Sequence, residues 1–269
     1  MLRTRVITAV FLLSGLLLAV FFLPPLGWAL FVAVIAGLAG WEFGRLAGFT
    51  AAANIGLGVV TALLCGLLVA GSPGLLDERG PGSVERALLT ISAGFWLLAA
   101  PFWLRRRWPL KPAVVAVVVA LLLIVPTWVS LVILWKIGPA TLFGVMALVW
   151  IADIAAYFAG RRFGRHKLAP SISPGKTWEG VWGAIAAVTL YGLMLLALGL
   201  LPGIPLWLAV VMLPLLTMIS VEGDLFESLL KRQAGLKDSS GLLPGHGGIL
   251  DRIDSLTSTL PIATLILLR

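Results

Sequence analysis

Residues 113–135 read AVVAVVVALLLIVPTWVSLVILW, a stretch without one charged side chain. A helix needs about 20 predominantly apolar residues to cross the hydrocarbon core of a bilayer, and this run is long enough. The rest of the chain is of the same kind. Of 269 residues, 60% are hydrophobic and 12% charged, whereas a soluble domain carries about 25% charged residues. No soluble fold of this size could bury so much apolar surface, so the sequence specifies an all-α polytopic integral membrane protein. The 30 glycines fit that class, because small residues let membrane helices approach closely. The single cysteine, Cys65, lies within an apolar segment and excludes both a disulfide framework and a cysteine-based zinc site.

Apolar runs interrupted by Pro, Gly and charges give about nine spans at roughly 20 residues per crossing: 6–23, 26–46, 53–71, 87–104, 113–135, 139–160, 178–201, 204–222 and 253–268. The N-terminus resembles a signal peptide, but residues 21–25 read FFLPP and offer no small-residue cleavage site, so a retained first helix is expected. Short turns are expected at Pro24-Pro25 and Pro202-Gly203, and a kink at Pro126, where neighbouring helices re-satisfy the freed carbonyl. No polar linker divides the chain. Residues 1–269 therefore read as one membrane domain, with 1–150 as helical scaffold and 151–269 as catalytic helices and cytoplasmic loops.

The loop cations orient this layout. With the N-terminus in the cytoplasm, only Arg79, Arg86, Lys136 and Arg269 of the 20 lysines and arginines fall outside. That asymmetry favours nine spans with the C-terminus outside. The net charge of +8 then reflects topology, and no nucleic-acid partner is expected. The outer loop around Asp77, Glu78 and Arg79 nearly cancels its own charge and is assigned no function. Trp96, Trp103, Trp108, Trp128 and Trp135 lie toward span ends and read as interfacial anchors.

Two polar loops then face the cytoplasm, where nucleotides are. In the first, Ser173-Pro174-Gly175-Lys176-Thr177 stands directly before a new helix. Unpaired N–H groups and partial positive charge at a helix N-terminus suit a phosphate, and Lys176 reads as a phosphate contact. Pro170 occupies the position of the first glycine of G-x-x-x-x-G-K-[ST], which excludes a P-loop. Arg161, Arg162 and Arg165 serve topology or phosphate equally well. Asp153 lies inside the sixth span, about two turns from its cytoplasmic end. An intramembrane carboxylate is a functional candidate by default, a helix-packing hydrogen bond being the alternative.

The second loop, 228–254, reads SLLKRQAGLKDSSGLLPGHGGILDRID. Asp224 and Ser228, four apart, share a helix face, as do Asp224 and Glu227 at three. Asp251 and Asp254 repeat the spacing of three. Lys231, Arg232, Lys237 and Arg252 supply cations. Gly247-Gly248, beside His246, allows close backbone approach to phosphate. Carboxylates beside lysines and a glycine loop suit Mg²⁺ holding a polyphosphate. Nucleotidyl or phosphoryl transfer needs in-line geometry and a neutralised leaving group. Two carboxylate-bridged metals, or one metal plus lysines, would serve. His246 reads as a phosphate-positioning group, since an attacking phosphate is already an anion.

The order S-x-x-K-R-x₄-K-D-x-S-x₂-L-P-x-H-G-G-I-x-D-R-x-D, filled from Ser228 to Asp254, resembles the signature of phosphatidate cytidylyltransferases, the CDP-diacylglycerol synthases. Gly160-Arg161 and Ser173-Pro174-x-Lys176-Thr177-Trp178-Glu179-Gly180 resemble the family's other recurrent block, though Ala152 stands where the family often has Asn and Gly175 where it has Lys. The resemblance covers roughly the C-terminal half. It implies that CTP and phosphatidic acid give CDP-diacylglycerol and pyrophosphate, with Mg²⁺ and a K⁺ beside it. It also implies a multi-pass homodimer in a bacterial-type inner membrane, its site facing the cytoplasm. On that basis Asp224 and Asp251 are expected to hold metal, with Asp254 and Asp153 as further ligands. Ser173, Lys176, Ser228, Lys231, Arg232, Gly247, Gly248 and Arg252 are expected to bind substrate, with Lys237 and His246 assisting catalysis. Two other readings compete: a CTP-dependent kinase of a polyprenol or other lipid alcohol, which would release CDP, and a transporter of a phosphorylated solute. The transporter predicts polar groups at the bilayer midplane, whereas the charge here lies at the cytoplasmic edge.

Overall fold

The structure is a computed structural model that describes residues 2–77, 79–200 and 203–268. Among these, α-helices account for nearly all regular structure: α1 (Leu2–Phe22), α2 (Pro25–Leu46), α3 (Ala51–Gly71), α4 (Ser83–Gly94), α5 (Ala100–Arg106), α6 (Ala113–Ile137), α7 (Pro139–Phe163), α8 (Trp178–Ala197), α9 (Leu206–Gln233) and α10 (Leu250–Leu267). A π turn at Phe95–Ala99 joins α4 and α5 into one rod. Among the described residues, eight helices are long and apolar enough to cross a membrane, the α4–α5 rod counting as one. α10 is the further rod, with Asp251, Arg252 and Asp254 charging its first turns. Glu78, Leu201, Pro202 and Arg269, which entered the sequence reading, lie outside the described residues.

Local chemistry explains where the helices begin. Pro25 and Pro139 open α2 and α7 at the position where a missing N–H costs nothing. Thr177 caps α8, its hydroxyl accepting from Gly180 N at 3.2 Å. α6, built on the run quoted above, is the most buried of the spanning rods and runs helically through Pro126. It packs on α2, α3, α4, α7 and α10. α1 is the opposite case, since most of its apolar side chains are exposed on this chain.

Three features differ from expectation. The eighth span does not stop at residue 222: α9 continues to Gln233 and carries Asp224, Glu227, Ser228 and Lys231 on unbroken helix. The loop after α7 is not irregular throughout, for β1 (Lys167–Ala169) and β2 (Ser173–Thr177) pair antiparallel, Lys167 opposite Thr177. Trp96 and Trp128 are not interfacial anchors. Both are buried, and their indole nitrogens donate to Thr257 O at 3.0 Å and Ala29 O at 3.0 Å on neighbouring helices. Thr257 is four residues before Pro261, which has no N–H to offer it. Trp96 satisfies that carbonyl from the next helix.

Candidate active site

At one end of the bundle α7, α8 and α9 enclose a polar cavity of about 550 Å³. From α7 it takes Asp153, Tyr157, Gly160, Arg161 and Gly164, a stripe at helical spacing. The hairpin adds Lys167, Ser173 and Lys176, and α9 adds Asp224. Glycine sets how closely these walls stand. A Cβ on Gly160 would lie 2.9 Å from Thr177 Oγ1, and one on Gly180 would lie 2.8 Å from Ala156 O. Larger residues would push the hairpin and α8 off α7.

Lys176 reaches across the cavity to Asp224, Nζ to Oδ2 at 2.6 Å. The other Asp224 oxygen accepts from Ser228 Oγ at 3.2 Å. Gly223 lets α10 approach α9, since a Cβ there would lie 2.8 Å from Asp254 O. Asp254 thus comes within charge range of Asp224 and Asp153, and Arg252 within range of Asp153. Asp153, Asp224, Asp254, Lys176 and Arg252 form one group of interacting charges.

Asp251 is held by a second set of partners, joined to the first through Glu227, which interacts with both Asp254 and Asp251. Its Oδ1 pairs with Lys231 Nζ at 2.7 Å, and Lys231 also holds Glu227 at 3.0 Å. Its Oδ2 accepts from Ser239 N at 2.9 Å, Ser239 Oγ at 2.9 Å and Gly248 N at 2.8 Å. Burial works to raise the carboxyl of Asp251, ahead of the apolar part of α10. The Lys231 ammonium and these amides outweigh it and hold the group below its ordinary range. His246 sits in a tight turn closed by Leu243 N to Gly247 O at 2.8 Å. Its Nδ1 is buried without a partner among the described residues. Arg232, Lys237 and Arg252 are exposed.

A model described as the cytidylyltransferase family matches residues 3–268. The chain belongs to that family. It is 40% identical to the phosphatidate cytidylyltransferase of Pseudomonas aeruginosa over 97% of this chain and 95% of that one. It is 36% identical to the phosphatidate cytidylyltransferase of Haemophilus influenzae over 97% and 96% of the two chains. Against the Brucella suis protein of the same name the identity is 50%, over 45% of this chain and 44% of that one. Family membership therefore covers the N-terminal half too, where the sequence resemblance was confined to hydrophobic character.

That half contributes a residue the sequence reading missed. Glu42 of α2 is completely buried and accepts from Ser240 Oγ at 2.5 Å, Ser239 Oγ at 3.1 Å, Ile249 N at 3.0 Å and Leu250 N at 2.7 Å. The signal was present, for Glu42 is a charge inside an apolar span, as Asp153 is. Tyr157 and Lys167, given no role from the sequence, also line the cavity, beside Arg161, one of the cations the sequence left between topology and phosphate.

The donor set can be compared with what Mg²⁺ requires. Among the described residues no three His, Cys, Asp or Glu side chains converge closely enough to hold an ion unaided. Mg²⁺ retains water and takes substrate oxygens beside one or two carboxylates. Asp224 and Asp153, both lining the cavity, fit that requirement; Asp251 lies outside the cavity lining and engages Lys231, Ser239 and Gly248.

Proposed function

We propose that the protein transfers the cytidylyl group of CTP to phosphatidic acid, releasing pyrophosphate and CDP-diacylglycerol, at the cytoplasmic face of a bacterial-type inner membrane. The observation that carries this reading is the Lys176–Asp224 pair, set in a polar cavity among apolar helices, in a chain of the cytidylyltransferase family. Nine crossings with the N-terminus inside and the C-terminus outside follow from the cation asymmetry. A homodimer is the assembly that the family resemblance implies.

An oxygen of the lipid phosphate attacks the α-phosphorus of CTP. One P–O bond forms as the bond to the β-phosphate oxygen breaks, and pyrophosphate leaves with the electron pair. Such transfers depend on alignment and charge neutralisation more than on covalent help. Lys176, held by Asp224, is placed to bind phosphate oxygens, with Arg161 and Lys167 on the same cavity wall. Ser173 lines that wall, and Ser228 orients Asp224. Asp224 and Asp153 are the carboxylates that would hold Mg²⁺, with Asp254 adding negative charge within range and a K⁺ as the expected companion. Bound there, the metal supplies charge neutralisation on the triphosphate and on the leaving pyrophosphate. Arg232, Lys237 and Arg252 are exposed cations suited to meeting anionic substrate as it arrives. Lys231 and Asp251 support the set from their own ion pair, and His246 shapes the turn beside it.

Purified protein incubated with labelled CTP, phosphatidic acid and Mg²⁺ is expected to yield pyrophosphate and a cytidine-bearing lipid. CDP with a phosphorylated lipid alcohol would point to the kinase reading instead. Absence of either product across lipid and salt conditions would sink both.

A further inference from the structure

We propose that Glu42 is a positioning residue of this site: an internal anion that fills the backbone nest of residues 239–250 and thereby fixes Asp251 and Asp254 against α9. This rests on the transfer reading above. Free amides in a glycine-rich turn at a helix N-terminus are an anion seat, which is why Gly247-Gly248 read as a phosphate contact. In the structure the protein's own carboxylates occupy that seat. Gly248 N and Ser239 N go to Asp251, and Ile249 N and Leu250 N go to Glu42. The missing glycine side chains make room for the same two groups. A Cβ on Gly248 would fall on Ser239 Oγ and then on the Glu42 carboxylate, and one on Gly247 would lie 2.6 Å from Asp251 Oδ2.

Glu42 lies 207 residues from Ile249 in sequence, so this seat ties α2 of the N-terminal half to the first turn of α10. Ser239 Oγ stands within hydrogen-bond distance of both carboxylates. The chain of contacts then runs through Asp251 and Lys231 to Glu227 on α9. Asp254 follows Asp251 by three residues on the same helical face. A shift of the first turn of α10 therefore moves Asp254 relative to Asp224. The cations of α7 and the hairpin lie elsewhere and stay in place. Arg252, on the same turn of α10, moves with it, so loosening Glu42 should harm turnover and the magnesium requirement most, and substrate affinity less.

The test compares wild type with Glu42→Gln, Ser240→Ala and Gly248→Ala. It reads transfer kinetics against CTP, phosphatidic acid and Mg²⁺, and hydrogen exchange across residues 248–251. Glutamine sets an N–H₂ donor against backbone donors. It is expected to lower kcat about tenfold or more and to raise the half-saturating Mg²⁺ several-fold, as loss of a supporting group does. Both KM values should change less than kcat does, and the 248–251 amides should exchange faster. Ser240→Ala and Gly248→Ala should move the same readouts less and in the same direction. A destabilised but otherwise intact enzyme would lose active protein without changing its Mg²⁺ dependence. An active wild type with unchanged kcat, Mg²⁺ dependence and exchange in Glu42→Gln overturns the proposal. If that variant does not fold, unchanged values in the other two overturn it equally. A wild type without transfer overturns the functional reading itself, and the exchange data then report on the seat alone.

Discussion

Asp224 on α9 and Asp251 on α10 are both carboxylates of the signature region, yet their surroundings differ in kind. Asp224 faces an open cavity, is held by one lysine and one hydroxyl, and keeps about 29% of its side chain accessible. Asp251 is 4% accessible, and both of its oxygens are engaged by Lys231, Ser239 and Gly248. Unsaturated polar groups at a cavity can exchange partners with a substrate or a metal. Saturated buried ones hold backbone in place. The difference separates an open set of polar groups from a saturated one within a single motif, a separation that residue order alone does not make.

The largest expected effect falls on the open cluster. Asp224→Asn keeps the shape but gives up the charge that holds Lys176. Loss of a preorganised electrostatic group typically costs 10²–10³-fold in turnover, and kcat is expected to fall by about 10³-fold. Thermal stability in detergent should hardly change, because partly solvated pairs contribute little to stability. An Asp224→Asn enzyme that turns over normally, or that unfolds, would erase the distinction between the clusters.

The closed cluster predicts the converse. Lys231→Ala leaves Glu227 and Asp251 buried without a cation, their side chains 5% and 4% accessible. Breaking a buried pair from one side costs about 3 kcal/mol or more, so the unfolding midpoint should drop clearly in a thermal or denaturant series. A variant as stable as wild type would mean that Lys231 belongs with the open group and meets substrate after all.

The comparison also shows what the chain displays along its length. Apolar runs marked the spanning rods within a few residues apart from the far end of α9, because bilayer thickness sets helix length independently of tertiary contacts. Asp153, Lys176 and Asp224 were legible because each is a polar group out of place near a predicted helix end, and the structure brings them to one cavity. The run of α9 beyond residue 222 was partly legible: the helical spacing of Asp224, Glu227 and Ser228 pointed to it, but the apolar span ends before these residues and their packing on α10 is not written in the local sequence. Glu42 went unrecognised because its partners lie on the far side of the sequence; an isolated carboxylate in an apolar run does not say which loop it will hold. The tryptophans misled for a related reason. Trp96 in fact stands midway along the 87–104 span, and the carbonyl that needs it is created by Pro261, on a helix not adjacent in sequence.

That last contact supplies the smallest and cleanest test, since it lies outside both clusters. Trp96→Phe removes the indole N–H and leaves Thr257 O without its donor in the helix bundle. Hydrogen bonds between membrane helices are modest, about 0.6 kcal/mol on average with about 1.7 as the upper range, so stability should fall by about 1 kcal/mol and kcat should stay at the wild-type value. Pro261→Ala should largely reverse the loss when combined with Trp96→Phe. The new backbone N–H at position 261 can bond to Thr257 O from within α10. The coupling in that double-mutant cycle isolates the carbonyl's need for a donor from the packing of the ring. If Pro261→Ala does not offset the Trp96→Phe loss, Trp96 stabilises the bundle by its bulk alone, and saturation of polar groups ceases to explain why that indole is buried.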